Sequence, residues 1–331
     1  MDFWNSALNA GAGGPDPRNG SFDTYTYWTE LDGMLSQHPV ADPFFLYLSI
    51  HMVHEPYQAP ARFQDLYATA PLCPQRKMLQ AMVSVVDELV GNLTAKLKAT
   101  EMWSDTILVF LSDNGGDPTV GGNHPLKGGK ATLFEGGVRA ASFVYSELLP
   151  RAMRGRNLTQ PVHVTDLYAT FCVRAGLSAE DNQRGVFPID SVDLWPFISG
   201  QNQSAPRDSI VIGHEFRYGQ NQTMMGALIK DDWKLIVGVQ GYSSFRGTLF
   251  PCVVATPAPN CDPHCLYDLS KDPHEHKDLS GEPASAYRLQ RLLELYKQEE
   301  NLFQNIETDV QGFGAAVTRR GGYMGPWTEL H

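Results

Sequence analysis

The chain has 331 residues and a formal net charge of −11, with 42% hydrophobic and 19% charged residues. These proportions are typical of a globular protein with a sizeable core, and the length suggests about two domains. The acidic balance and the lack of a Lys/Arg-rich block argue against nucleic acid or an anionic membrane surface as a partner. An anionic substrate stays compatible, because a metal ion and a few cations can dominate a local field.

Two sets of features bear on localisation. The longest apolar run, residues 44–50, is too short for a transmembrane segment, which needs about 20 residues, and the first residues show no signal peptide. Sequons for N-glycosylation nevertheless favour a secretory route, either lysosomal or secreted. They lie at Asn19, Asn92, Asn157, Asn202 and Asn221. A secretory protein without a signal peptide is expected to have its true amino terminus upstream of residue 1.

The chain has five cysteines, at positions 73, 172, 252, 261 and 265. The last three crowd into a Pro-rich segment, which we interpret as a loop in which a disulfide is expected. The pairing stays open. An odd count leaves at least one thiol free, or paired with a group outside the chain.

Apolar periodicity predicts the secondary structure in chain order. Helices are expected over about 25–37, 75–100, 163–175 and 285–301, and strands over 44–50, 106–112, 141–145, 210–213, 224–229 and 233–237. The first two strands are continuous apolar runs on either side of a long amphipathic helix. That βαβ pattern predicts a parallel sheet flanked by helices. We therefore expect an α/β domain over 1–205 and a small α+β subdomain over 206–331, which includes a hairpin turning at 230–232.

Two polar residues follow the second apolar strand. Asp113 and Asn114 stand in the sequence Ser-Asp-Asn-Gly-Gly, where the glycines let the backbone turn sharply. Ligands of open α/β sheets bind beyond the carboxyl ends of strands, and these side chains offer the oxygen ligands that calcium or magnesium prefers. The alternative is an Asx-type turn that only closes the strand.

A histidine pair and a glycine-rich loop are the other candidates. His51 and His54 are three residues apart, so a continuing strand would place them on opposite faces, and this disfavours a two-histidine metal site. His54 fits better as a general acid or anion contact, or as an ordinary loop histidine. The loop 121–139 carries Lys127 and Lys130 and could present amides and cations to an anion, although it lacks the Walker A spacing and could be a solvated loop.

Taken together in chain order, several segments closely resemble motifs of the sulfatase family, in particular of its arylsulfatase B, I and J members. The resemblance covers about residues 22–331. Its motifs are residues 43–48, 53–56, 82–88, 112–116, 130–139, 233–235, 266–279 and 325–327.

The resemblance implies an alkaline-phosphatase-like α/β fold with a mostly parallel sheet, incomplete at its amino-terminal side, plus a small α+β carboxy-terminal subdomain. It also implies a calcium ion held by Asp113 and Asn114. His54 and Lys130 resemble catalytic residues that contact the sulfate, and Lys127 stands where relatives carry a basic residue near the substrate.

The activity implied is sulfuric ester hydrolysis, with a sulfate ester of a glycan as the expected substrate. In the family, a formylglycine made from Cys-x-Pro/Ser/Ala-x-Arg attacks sulfur, but no segment here matches that motif, since Cys73-Pro-Gln-Arg is one residue short. We therefore expect this chain to be inactive alone. The alternatives are a non-catalytic secreted glycoprotein that binds sulfated sugars and, fitting less well, a phosphodiesterase of the same superfamily. Neither the oligomeric state nor the exact substrate follows from the sequence.

Overall fold

The computed structural model describes residues 15–16, 21–180, 189–218, 223–240 and 261–299. They divide into two compact units, the first containing the described residues up to Asp105 and the second those from Thr106 onward. The predicted domain boundary near residue 205 stays a prediction. Within the described ranges, no helix is both long and apolar enough to cross a membrane.

The first unit is mainly helical. Its elements are β1 (Pro15–Asp16), β2 (Ser21–Phe22), α1 (Asp23–Gln37), α2 (Ala61–Asp65), α3 (Pro74–Ala99) and a 3-10 turn (Trp103–Asp105). The helices predicted over 25–37 and 75–100 are thus confirmed as α1 and α3. Apolar residues at three- and four-residue steps bury one face of α3, which packs against α1. Lys96 of α3 and Asp32 of α1 form an ion pair at 2.7 Å at the edge of this contact.

The strand predicted over 44–50 is not present. Leu46 and Leu48 of the segment are half-buried, but Phe45 and Tyr47 are 72% and 82% exposed. A strand requires a hydrogen-bonded neighbour, and no segment among the described residues pairs with this one. The prediction of a strand buried on both faces is therefore wrong for the described structure.

The second unit combines two sheets with short helices. Its elements are β3 (Ile107–Leu111), α4 (Glu135–Val138), β4 (Ser142–Ser146), α5 (Asp166–Arg174), α6 (Trp195–Ile198), β5 (Ser209–Tyr218), β6 (Thr223–Lys230), β7 (Trp233–Gly238), β8 (Cys261–Asp268) and α7 (Ala286–Glu299), with 3-10 turns at Arg151–Met153 and Pro283–Ser285. The strands predicted over 106–112 and 141–145 are confirmed, as are the helices over 163–175 and 285–301, with shorter ends.

Strands β3 and β4 pair in antiparallel register, from Ile107 opposite Ser146 to Leu111 opposite Ser142. Every strand pair among the described residues is antiparallel. The predicted parallel pairing is not found there, because the segment expected to lie beside β3, residues 44–50, is not a strand. The β3–β4 register brings the end of β3 close to the start of β4, and this sets the position of the polar turn at 112–116.

The larger sheet has the strand order β5-β6-β7-β8. As predicted, β6 and β7 form an antiparallel hairpin whose turn contains Asp231 at φ 54°. One face of the sheet packs against Leu292 and Tyr296 of α7. Gly226 allows this contact, since a Cβ there would lie 1.9 Å from the Tyr296 hydroxyl oxygen. The other face packs against Phe134, which belongs to the glycine-rich loop.

Two of the three cysteines that were predicted to lie in a loop are found in a strand. Cys261 and Cys265 are joined by a disulfide, but they lie in strand β8 rather than in a loop. The sheet includes them because β8 pairs with β7 along most of its length. Cys73 is also disulfide-bonded, and Cys172 is a free thiol. Cys252 lies outside the described residues.

Candidate functional site

The turn at 112–116 is anchored at both ends. The backbone N–H of Ser112 donates to the carbonyl of Ala141 (2.9 Å), and that of Gly115 donates to the carbonyl of Gly137 (2.8 Å). Glycine is required at position 115, because a Cβ there would lie 1.7 Å from the carbonyl oxygen of Gly136. The turn therefore docks backbone against backbone on the end of the glycine-rich loop.

Asn123 joins the same two segments from the side. Its Oδ1 accepts from the backbone N–H of Gly116 (2.8 Å), and its Nδ2 donates to the carbonyls of Gly116 (2.9 Å) and Gly128 (3.1 Å). The backbone N–H of Lys130 also donates to the carbonyl of Gly116 (3.1 Å). Sequence reasoning missed Asn123, although a single amide among glycines could have indicated it.

The side chains of the turn carry oxygen atoms of the kind that calcium binds. Asp113 is exposed, and no described residue donates to its carboxylate. The Nδ2 of Asn114 donates to the carbonyl of Gly115 (2.9 Å), which leaves Oδ1 available. Two hard oxygens suit calcium, but the described residues contain no group of three or more metal-ligating side chains of the His, Cys, Asp and Glu types. The fit is therefore that of two ligands from a larger set.

Lys130 lies on the loop that docks on this turn. Its side chain is half-buried, and its ammonium has no hydrogen-bond or ion-pair partner among the described residues. The structure thus brings three of the predicted site residues, Asp113, Asn114 and Lys130, onto adjoining loops of one unit. Such an arrangement can hold an anion between a bound cation and an ammonium group.

Lys127 is placed differently. Its side chain is buried, with 7% of the residue exposed, and its Nζ donates to the hydroxyl of Tyr267 and to the carbonyl of Glu275, both at 3.2 Å. The ring of Phe134 lies 4.4 Å from the same atom. Burial lowers the pKa of this ammonium, while nearby carboxylates, Glu275 first, partly oppose the shift. The described contacts are internal, and a part in substrate binding stays a prediction.

Behind the loop lies a buried cluster of charges that sequence reasoning did not identify. Lys234 Nζ lies 2.8 Å from Glu135 Oε1 and 2.9 Å from Glu275 Oε1, and all three side chains are buried. Glu275 Oε2 accepts from the backbone N–H of Glu135 (2.7 Å). Burial raises the pKa of Glu275, and Lys234 opposes that rise. The sequence did contain a signal for this cluster, because Lys234 and Glu275 both lie within motifs of the family resemblance. Lys234 stands in Trp-Lys-Leu and Glu275 in Pro-His-Glu-His.

His54 belongs to the first unit and is exposed. Its Nδ1 lies 2.9 Å from the carbonyl oxygen of Glu55, so this nitrogen carries the proton in the neutral ring and Nε2 is the acceptor. His51 points elsewhere, with Nδ1 2.7 Å from the hydroxyl of Tyr27 and 3.3 Å from Asp23 Oδ2. The two histidines therefore make separate contacts, and the catalytic role of His54 stays a prediction.

The sequons differ in their surroundings. Asn157 and Asn202 are exposed outside regular helices and strands, whereas Asn92 is half-buried within α3. Asn19 and Asn221 lie outside the described residues. Glycosylation of these five positions stays a prediction.

The family model and the curated relatives agree on one family. Residues 6–177 match the family model described as Sulfatase. Arylsulfatase J of Mus musculus is 31% identical over 339 residues, which cover 94% of this chain and 54% of the relative. Arylsulfatase A of Homo sapiens is 28% identical, with 84% of this chain and 52% of the relative covered. The chain thus spans about half the length of these relatives.

A solved structure shows the same architecture. Ps i-CgsB in complex with k-i-k-neocarrahexaose superimposes with a TM-score of 0.68 and 26% identity, over 86% of this chain and 56% of that one. The likeness confirms the expected alkaline-phosphatase-like fold class, with helices and sheets combined. Together with the family match over about half of its residues, it shows that this chain belongs to the sulfatase family.

Proposed function

We propose that the chain forms the metal- and sulfate-binding part of a sulfuric ester hydrolase that acts on sulfated glycans. One observation carries the proposal: the hydrogen bond from the Lys130 N–H to the Gly116 carbonyl, at 3.1 Å, sets the Asp113–Asn114 turn beside the loop that bears Lys130. Hard oxygen ligands on one loop, and on the adjoining loop an ammonium group with no partner among the described residues, suit an oxyanion such as a sulfate ester.

Each residue has a distinct part in this proposal. Asp113 and Asn114 hold calcium, which supplies positive charge next to the sulfate oxygens when it is bound. Lys130 donates to a sulfate oxygen and stabilises negative charge there. For His54 the proposed part is proton transfer through Nε2, since its Nδ1 faces the Glu55 carbonyl. Formylglycine, the nucleophile of the family, has no encoding motif within residues 1–331, so no residue here is assigned to the attack on sulfur.

Three observations support a glycan substrate and a secretory route. The similar structure Ps i-CgsB was solved with a neocarrahexaose bound. Disulfides such as Cys261–Cys265 form in oxidising compartments, as in lysosomal or secreted proteins. Exposed sequons at Asn157 and Asn202 fit the same route.

The second candidate is a non-catalytic glycoprotein that binds sulfated sugars. Both candidates require the site around Lys130 to bind sulfate groups, and they differ only in turnover.

A chimaera separates the two candidates. The amino-terminal part of mouse arylsulfatase J that precedes the matched region is fused to this chain and expressed in cells that convert the motif cysteine. Hydrolysis of a chromogenic aryl sulfate, lost in Asp113→Ala and Lys130→Ala but kept in the exposed control Lys271→Ala, supports the hydrolase. A folded chimaera that binds carrageenan oligosaccharides without turnover supports the binding protein. A folded chimaera that shows neither activity nor binding contradicts both.

A further inference from the structure

Glu275 combines two unfavourable features. Its side chain is fully buried, at 0% exposure, and its backbone adopts the left-handed conformation at φ 59°, which residues other than glycine rarely take. A buried carboxylate on strained backbone persists when the surrounding contacts require it there. The proposed hydrolysis does not use this residue, so its contacts indicate another role.

Those contacts reach both ends of one loop. The carbonyl of Glu275 accepts from Lys127 Nζ (3.2 Å) at the start of the loop 127–137. Its Oε2 accepts from the backbone N–H of Glu135 (2.7 Å) near the loop's end. Its Oε1 lies 2.9 Å from Lys234 Nζ, which also pairs with Glu135. The left-handed backbone directs the carbonyl and the carboxylate of the same residue toward the same loop.

Backbone hydrogen bonds connect the loop 127–137 to the candidate site. The N–H of Gly136 donates to the carbonyl of Lys127 (2.7 Å), which closes the loop on itself. The carbonyl of Gly137 then receives the N–H of Gly115, and the N–H of Lys130 donates to Gly116. A shift of the Glu135 end therefore moves the backbone that orients both Lys130 and the turn at 112–116.

We propose that Glu275 is a positioning residue, whose negative charge holds the loop 127–137 so that Lys130 and the Asp113–Asn114 turn face the sulfate ester. The inference rests on the proposed function. Charge is required as well as shape, because the buried carboxylate of Glu275 pairs with the buried ammonium group of Lys234 at 2.9 Å. Glu275→Gln leaves Lys234 with Glu135, its other carboxylate partner among the described residues, and Glu135 also lies 4.0 Å from Arg139.

Hydrogen exchange followed by mass spectrometry tests this on the whole chain without any ligand. In Glu275→Gln we expect exchange to speed up by about tenfold or more in peptides covering 112–116 and 127–137, because local opening there becomes easier. The strands β5–β8 should keep their rates. The matched control Glu282→Gln, which removes an exposed partner of Lys277, should change neither region.

Two outcomes overturn the proposal: unchanged exchange at 127–137, or a uniform increase over the whole second unit, which indicates general destabilisation. If Glu275→Gln does not fold, the double variant Glu275→Gln/Lys234→Met, which removes both charges of this ion pair, carries the same test. A separate arm adds calcium and inorganic sulfate to the unsubstituted chain. If these ligands do not slow hydrogen exchange at 127–137, the result counts against the proposed function. The comparison of variants without ligand alone decides the role of Glu275.

Discussion

The guanidinium of Arg207 contacts both carboxylate oxygens of Asp166, with Nε 2.7 Å from Oδ1 and 2.8 Å from Oδ2. Asp166 is 0% exposed and also accepts from the backbone N–H groups of His163 (3.0 Å) and Val192 (3.2 Å). Arg207 donates in addition to the carbonyl of Asp190. This ion pair therefore joins the start of α5 to the segments on both sides of α6.

The first prediction concerns the stability that this pair provides. Arg207→Ala should lower the free energy of unfolding of the second unit by about 3 kcal/mol, because it leaves a buried carboxylate without its cation. The matched control is the surface pair Lys230–Asp208, in which the Asp208 side chain is 73% exposed. Asp208→Asn should cost less than about 1 kcal/mol. Urea denaturation of both variants checks this, and equal losses would contradict it.

The second prediction concerns pH and His163. Burial lowers the pKa of this imidazole, an effect that Asp166 partly opposes and Arg207 reinforces. The unfolded chain keeps a pKa of about 6.5, so below that value the unfolded state binds more protons than the folded state. The contribution of neutral His163 to the free energy of unfolding is therefore complete above about pH 6.5. It is lost as the pH falls through the pKa of His163 in the folded state.

Comparison with His163→Gln isolates this effect. The unfolding free energy of the unsubstituted chain minus that of the variant should increase from acidic to neutral pH. Glu275, whose pKa burial raises, contributes a slope of opposite sign to both proteins and cancels in the difference. Urea denaturation at several pH values measures it, and a difference independent of pH would show that His163 is not the titrating group.

The third prediction concerns calcium. The proposed site has two calcium ligands, Asp113 and Asn114, where calcium takes roughly six to eight oxygens, so water must complete the shell. We expect a dissociation constant on the order of millimolar or weaker for the isolated chain. Isothermal titration calorimetry decides, with Asp65→Ala as an exposed control. Micromolar one-to-one binding that disappears in Asp113→Ala would show that the site is complete within this chain.

The fourth prediction is that the 331-residue chain alone does not turn over aryl sulfates. The roles proposed for Lys130 and for His54 assist a covalent step, and no nucleophile for that step is assigned within residues 1–331. A chromogenic aryl sulfate assayed against a matched blank measures this. Turnover above the blank that is abolished by His54→Ala would contradict the prediction.

The fifth prediction ranks the sequons by accessibility. On expression through a secretory route, Asn157 and Asn202 should be glycosylated to a higher occupancy than Asn92. The first two lie in exposed, irregular segments, while Asn92 is half-buried in α3, and acceptor sites belong on surface loops. Glycopeptide mass spectrometry reports the occupancy of each site. Full occupancy at Asn92 with none at Asn157 would refute this order.

Local patterns in the sequence predicted most elements but not all of their partners. Helices α1 and α3 follow from apolar residues at three- and four-residue steps, which depend only on neighbours in the chain. The segment 44–50 had a strand-like composition, yet Phe45 and Tyr47 are exposed and no described segment pairs with it. Composition indicates that a segment can be a strand, whereas pairing depends on which other segments come beside it.

In the candidate site, too, some features could be predicted from the local sequence and others could not. Asp113, Asn114 and Lys130 could be selected from the sequence because their side-chain chemistry and glycine neighbours lie within a few residues of each other. Lys127 lies on the same loop and was predicted to contact the substrate, but its ammonium turns toward Tyr267, a contact across 140 residues. Nothing in the local pattern distinguishes an outward lysine from an inward one.

By itself, the sequence determined the family resemblance, most of the helices and strands, and the candidate residues for cation and sulfate binding. Only the tertiary structure decided that β3 pairs antiparallel with β4, and that Glu275 holds the loop of Lys130 through Glu135, 140 residues away. The reason is physical. Propensity and periodicity are properties of adjacent residues, whereas strand pairing and buried ion pairs depend on distant segments that only folding brings together.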